Sequence, residues 1–272
     1  MPIPDLVAFV NQQLLPQASG SRFVLDETTH QVQGRLGAWA LSSVFQPLSD
    51  TNGQIRGYEA LLRAHDGQQN ICPDVFFTHP TITRDIVCWD RFCRYLHTLN
   101  FLAQQGTQDL YLNINAGLLR HIEHDHGVVF ERTLRQFGLE PQQIVLEIVE
   151  SAMPDSSRLH QALENYRARG YRIALDDFGS QHSNFDRLWL LTPDLVKLDR
   201  SLLLQAEINP RARTILPRLV DMLHDLGVKV VAEGIETAEQ WALAQSAQVD
   251  LLQGFFLAHP AAQLLNNARQ PH

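Results

Sequence analysis

The stretch Tyr171–Gly179 reads Y-R-I-A-L-D-D-F-G, an apolar run that ends on two adjacent carboxylates, Asp176 and Asp177. Like charges this close at the end of a buried strand raise a pKa or demand a counter-cation. A divalent ion is the simplest remedy, since hard cations take oxygen ligands. Taken alone, the pair could equally cap a helix N-terminus, where Asp complements the helix dipole. Polar residues set in other apolar runs tip the balance: Glu59 in Y-E-A-L-L-R, Asn113 in L-Y-L-N-I-N, Glu147 in V-L-E-I-V-E, Lys197 in V-K-L-D-R, Glu233 in V-A-E-G-I-E and Gln253 in L-L-Q-G-F-F. Brought together, they make a polyanionic pocket with an embedded lysine. Oxygen-only donors suit Mg2+ or Mn2+ rather than zinc, and so many anions around one lysine suit a pair of ions. Paired metals serve in-line attack of water on a phosphodiester. Lys197 would then stabilise the attacking water or the transition-state charge, and Arg63 is a candidate phosphate fork.

The elements that must position these residues follow a regular rhythm. Strand-like runs fall at 43–48, 57–63, 109–115, 143–149, 171–177, 194–199, 228–233 and 249–254, with helix-like patterns at 82–104, 117–137, 156–169, 183–191, 208–226 and 237–246. Strands alternating with helices imply a mainly parallel sheet with helices outside, of the size of a (β/α)8 barrel, whose active sites form where the strands end. One junction departs from the rhythm. Only residues 49–56 separate the first two runs, and they contain Asn52-Gly53, a hairpin signal. A parallel crossover needs about a dozen residues, so the first strand should run antiparallel to the second. Residues 1–40, with an amphipathic pattern at 6–15 and a possible hairpin within 22–39, are expected to form an N-terminal extension, and 266–272 a tail.

Composition limits the functional classes. Hydrophobic residues make up 44% and charged residues 19%, with a net charge of −8. That balance argues against binding a nucleic-acid polymer. Cys72, Cys88 and Cys93 lack metal-ligand spacing and suit a reducing compartment. No apolar run reaches membrane-spanning length and no signal-peptide pattern opens the chain, so a soluble, cytoplasmic protein is expected. His121, His124 and His126 read as a solvated helix face, and Asp155 to Ser157 as a helix cap.

The motifs F-Q-P (45–47), E-A-L-L-R (59–63), N-I-N (113–115), E-I-V-E (147–150), L-D-D-F-G (175–179), K-L-D-R (197–200), A-E-G-I-E (232–236) and Q-G-F (253–255), in this order, resemble the EAL-domain family of cyclic di-GMP phosphodiesterases. The resemblance covers about residues 41–265. It implies a modified TIM (β/α)8 barrel with an antiparallel first strand, and hydrolysis of cyclic di-GMP to linear pGpG with Mg2+ or Mn2+. It implies metal ligands at Glu59, Asn113, Glu147, Asp176 and Asp177, with Glu236 tied to the metal site. Lys197 matches the lysine that contacts the catalytic water, and Glu233 the general base. Gln46, Arg63 and Gln253 match substrate-contacting positions, and Glu150 the residue that anchors the loop after Asp176-Asp177. A homodimer is also implied. Helix faces carrying Phe185, Leu188 and Trp189 are candidates for its interface or for the core.

One loop departs from the family pattern. Where the family usually has Gly and an aromatic residue after D-D-F-G and one further residue, this chain has Gln181 and His182, within Ser180–Asn184. Replacing Gly restricts the backbone. The alternative is therefore a catalytically silent cyclic di-GMP receptor or interaction module on the same barrel. A two-metal phosphodiesterase acting on another nucleotide is a further alternative.

Overall fold

The computed structural model describes residues 1–15, 20–114, 127–149, 157–180 and 185–265. Asn115, His121, His124, His126, Glu150, Asp155, Ser156, Gln181–Asn184 and the tail 266–272 lie outside the described residues. In chain order the elements are α1 (Ile3–Gln13), β1 (Ser21–Leu25), β2 (Val32–Leu36), β3 (Trp39–Ser49), β4 (Ile55–His65), β5 (Asn70–Ile71), α2 (Pro73–Thr78), α3 (Pro80–Thr83), α4 (Ile86–Ala103), β6 (Asp109–Asn113) and α5 (Val128–Phe137). They continue with β7 (Ile144–Val149), α6 (Ser157–Ala168), β8 (Arg172–Phe178), α7 (Asp186–Leu191), β9 (Leu195–Leu198), α8 (Arg200–Ile208), α9 (Pro210–Asp225), β10 (Lys229–Ala232), α10 (Ala238–Ser246) and β11 (Leu251–Leu252).

Among the described residues, eight strands close a barrel in the order β3-β11-β10-β9-β8-β7-β6-β4, with β3 pairing β4 to complete the ring. Neighbours from β4 round to β11 run parallel, whereas β3 is antiparallel to both β4 and β11. The expected hairpin is present. Asp50 Oδ1 accepts from the N–H groups of Asn52 and Gln54, and Gly53 N–H donates to Asp50 O, so residues 50–54 turn the chain without a crossover.

Side chains alternate across each strand, and the burial pattern follows. Leu110, Leu112, Leu146, Ile148, Ile173, Leu175, Val196, Leu198 and Val230 point outward into the main core with the helices. Leu48, Tyr111, Val145, Ala174, Leu195, Val231 and Leu251 form a separate apolar plug inside the bore. Gly57 takes the equivalent place on β4, where a Cβ would lie 2.5 Å from the Tyr111 ring. One alternation beyond this plug stand the polar residues singled out in the sequence.

Two features of the fold exceed the sequence reading. The hairpin β1–β2 continues into β3 by antiparallel pairing, so residues 21–36 extend the barrel sheet. Paired side-chain amides hold it: Asn11 bonds both backbone groups of Phe23 and Asn100 of α4 bonds both of Val32, at 2.8–2.9 Å. Helix α8 was also not anticipated. It is short and starts on Asp199, whose carboxylate caps Ser201 N–H at 3.0 Å.

Helix α4 buries an unusual set of polar groups. Asp90 and Arg94 pair at 2.6 Å, and Arg94 lies over the Phe130 ring. His97 Nδ1 meets Ser43 Oγ at 2.8 Å, tying α4 to β3. Burial lowers the His97 pKa to about 3, so the folded protein keeps it neutral. Because an unfolded His titrates near 6.5, this group favours folding fully above that pH, and its contribution is lost as pH falls from there toward 3. We expect the unfolding free energy of wild type to fall about 2 kcal/mol more steeply between pH 7 and pH 5 than that of His97→Gln. Denaturant titrations at both pH values check this. Equal slopes would refute a neutral buried His97.

Candidate active site

Each bore strand places one polar residue directly above the apolar plug. On β4 it is Glu59, on β6 Asn113, on β7 Glu147, on β8 Asp176 and on β9 Lys197. Glu233 follows β10, Gln253 follows β11, and antiparallel β3 contributes Gln46. Lys197 Nζ is the centre, with its side chain 1% exposed. It lies 2.7 Å from Glu147 Oε1, 2.7 Å from Glu233 Oε1, 3.3 Å from Glu59 Oε2 and 3.4 Å from Asp176 Oδ1. Burial works against its charge, but Asp176, Glu147, Glu233 and Glu59 together hold the ammonium pKa well above its ordinary value.

Amides complete the floor. Gln253 Nε2 donates to Glu59 Oε2 at 2.7 Å and to Gln46 Oε1 at 3.3 Å, and Asn113 Nδ2 donates to Glu59 Oε1 at 3.1 Å. Burial would raise the Glu59 pKa, yet Lys197 and the hydrogen bonds from Gln253 and Asn113 outweigh it and hold the group below the usual carboxylate range. Glu147 behaves in the opposite way. It is fully buried, faces Glu59 and Asp176, and its pKa is pushed well up by burial and then by those charges. Although Lys197 is within ion-pair distance, neither Glu147 oxygen has a partner in hydrogen-bond geometry. Glu233 rises to about 8, through burial and then the charges of Asp176 and Glu59.

Simple alternation would turn Asp177 away from Asp176. Instead Asp177 has φ +58°, a left-handed conformation rare for a residue other than glycine, and the β8–β9 register slips between Leu175 and Phe178. Its N–H donates back to Asp176 Oδ1 at 3.0 Å. The break brings oxygens of Asp176, Asp177 and Glu233 within 4.8 Å of one another, a grouping able to hold a metal ion. Burial and then Asp176 raise the Asp177 pKa. Five carboxylates therefore surround one ammonium, with an orphaned buried Glu147 and oxygen-only donors. Hard divalent cations fit this donor set.

The remaining expected site residues stand apart from this cluster. Gln46 and Glu236 line a cleft of about 270 Å3 above it, together with Glu59, Asp177, Glu233 and Gln253. Glu236 is bound to Arg200 at 3.0 Å rather than to the carboxylate group. Arg63 is exposed on β4, with Nη1 on the Leu62 carbonyl at 2.9 Å, and does not line the cleft. Asp199, Arg200 and Phe255 do line it, although the sequence reading gave them no role. Asp199 carried a usable signal, since it lies two residues beyond Lys197. Arg200 and Phe255 carried none, because their place depends on the loops after the strands.

The EAL domain family model matches residues 30–260. This chain belongs to the EAL domain family. Among proteins similar to this EAL domain, the cyclic di-GMP phosphodiesterase RocR of Pseudomonas aeruginosa is 28% identical over 215 residues, which cover 76% of this chain and 54% of RocR. Cyclic di-GMP phosphodiesterase NbdA of the same organism is 29% identical over 268 residues, 93% of this chain and 32% of NbdA. The chain spans between about a fifth and about half of the length of the first curated relatives it matches. Of solved structures, the PaMucR phosphodiesterase in complex with cyclic di-GMP is 30% identical, with a TM-score of 0.67 and coverage of 81% of this chain and 92% of that one. Klebsiella pneumoniae BlrP1, in a manganese and cyclic di-GMP complex, is 25% identical with a TM-score of 0.73, covering 97% of this chain and 67% of that one. Among the described residues, no helix of this EAL domain is long and apolar enough to cross a membrane.

A ligand that binds only the folded state stabilises it, by about 2.7 kcal/mol at a concentration one hundred times its dissociation constant. Mn2+ or Mg2+ should therefore raise the melting temperature of the chelator-treated protein. Asp176→Asn combined with Asp177→Asn should remove most of that rise. An equal metal-induced shift in the double variant would show that these carboxylates are not the ligands.

Proposed function

We propose that this EAL domain hydrolyses one phosphodiester of cyclic di-GMP to give pGpG, using two divalent ions, Mg2+ or Mn2+. The observation that carries the reading is the ring of Glu59, Glu147, Asp176 and Glu233 around Lys197, open to a cleft beside Asp177. Relatives named as cyclic di-GMP phosphodiesterases support the substrate. In this reading Glu59, Asn113, Glu147, Asp176 and Asp177 hold the metals, and Glu236 stands at the margin. When bound, the ions would acidify the attacking water and neutralise charge on the phosphate.

The chain's own groups supply the rest. Lys197 holds the water in line and offsets negative charge as the phosphorus–oxygen bond breaks. Glu233 is the general base. A carboxyl held near 8 accepts a proton more readily at neutral pH than an ordinary carboxylate. Gln46, Gln253 and Arg63 are the proposed substrate contacts. A second copy of the chain is the proposed partner, on the face where Trp189 is 60% and Phe185 46% exposed, whereas Leu188 is core.

Chromatography of cyclic di-GMP incubated with the protein and Mn2+ should show pGpG. Glu59→Ala and Asp176→Asn should each lower turnover by roughly a thousand-fold. Binding without turnover by the wild type would instead establish a receptor. Near-wild-type turnover in either variant would overturn the metal assignment. Sedimentation should show a dimer that Trp189→Glu converts to monomer, and a wild-type monomer would remove the proposed partner.

A further inference from the structure

Cations are scarce where an anionic substrate must enter. Lys197 is enclosed within the cluster and Arg63 lies outside the cleft. Among the described residues lining the cleft, Arg200 is the sole cation. It opens α8 three residues beyond Lys197, at the mouth of the cleft rather than its floor.

Two neighbours fix it there. Glu236 takes the guanidinium end-on, with Nη1–Oε1 and Nη2–Oε2 both 3.0 Å. Gly234 leaves room for the stem: a Cβ at that position would lie 2.7 Å from Arg200 Cβ and Cγ, and the backbone there has φ +63°. Without Glu236, a long cationic side chain beside a group of carboxylates would be drawn down onto them and block them. The end-on pair uses one N–H on each Nη. A guanidinium has five such donors, so the Nε edge stays available for a second oxyanion.

We propose that Arg200, held by Glu236, receives the phosphate that is not being cleaved, and so selects a cyclic dinucleotide over a lone phosphodiester. The proposal rests on cyclic di-GMP being the substrate. The scissile phosphate belongs beside Asp176, Asp177 and Glu233. The other phosphate brings a second negative charge to an acidic cleft, and Arg200 is placed to offset it. Glu236 is then a positioning residue that acts through Arg200, not a metal ligand.

Wild type, Arg200→Ala, Arg200→Lys, Glu236→Gln and the double variant Arg200→Ala/Glu236→Gln would be assayed with Mn2+ on cyclic di-GMP and on bis(p-nitrophenyl) phosphate, a diester with one phosphate. Arg200→Ala should raise KM for cyclic di-GMP about tenfold or more, the loss expected for a charge-assisted hydrogen bond, with little change in kcat. Its kcat/KM on bis(p-nitrophenyl) phosphate should stay near wild type. Arg200→Lys should fall between, since it keeps the charge and loses the fork. Glu236→Gln should raise KM severalfold without moving the Mn2+ concentration for half-activation, and the double variant should be no worse than Arg200→Ala. Unchanged KM in Arg200→Ala and Arg200→Lys, or equal losses on both substrates, would overturn the role of Arg200. A shifted Mn2+ requirement in Glu236→Gln would overturn that of Glu236. Wild type that cleaves the small diester but not cyclic di-GMP would remove the substrate assignment itself.

Discussion

A buried ammonium is tolerated only where anions replace the water it has lost, and Lys197 sets that condition for the whole barrel. Stripping such a group of solvent costs several kcal/mol, which only close and well-placed carboxylates offset. Four of them come from β4, β7, β8 and the segment after β10. Each contact therefore depends on the mutual register of separate strands. The reverse dependence holds as well. Without Lys197, Glu147 would be a fully buried carboxyl facing Glu59 and Asp176 with nothing to balance it. Because one ammonium cannot balance five carboxylates, the site retains an excess of negative charge that suits divalent ions.

The barrel meets this condition through a layered bore. The apolar plug from Leu48 to Leu251 fixes how far each strand is advanced, and the next inward position on each strand becomes part of the site. Close packing makes that arrangement stiff. Gly57 shows how tightly the layer is filled, since the Tyr111 ring occupies the space of its missing side chain. Antiparallel β3 enters the same layer from the opposite direction, which is why Gln46 precedes Leu48 in sequence whereas Gln253 follows Leu251. Outside the ring, α4 holds the β1–β2 hairpin and β3 through Asn100 and His97, so the N-terminal strands and the barrel wall share one support.

Above the plug, the chemistry and its selectivity come from different kinds of structure. The carboxylates and Lys197 stand on strand ends, where backbone pairing locates them. Arg200, Glu236 and Phe255 stand on the connections after the strands, at the rim of the cleft. Rigid elements hold reacting groups more closely than loops can, whereas loops are free to vary with the substrate.

Much of this was legible in the sequence. Alternating apolar and polar positions located all eight barrel strands, and Asn52-Gly53 gave the direction of the first. Polar residues embedded in those runs named the members of the site, because a charged residue in a buried strand needs partners and the barrel offers one place to find them. Three features were decided only by the tertiary structure. Asp177 reaches the same side as Asp176 through a left-handed φ and a register slip, and strand periodicity predicts the opposite. Glu236 lies with Arg200 because Gly234 lets the arginine stem pass close by, a contact between loops from different strands. The opposed shifts of Glu59 and Glu147 arise from their neighbours rather than their type: amide donors stabilise the Glu59 carboxylate, and Glu147 lacks them. Local pattern determines which residues stand on a strand and which face they take. Distances, strain and proton affinity depend on what the closed barrel places opposite them.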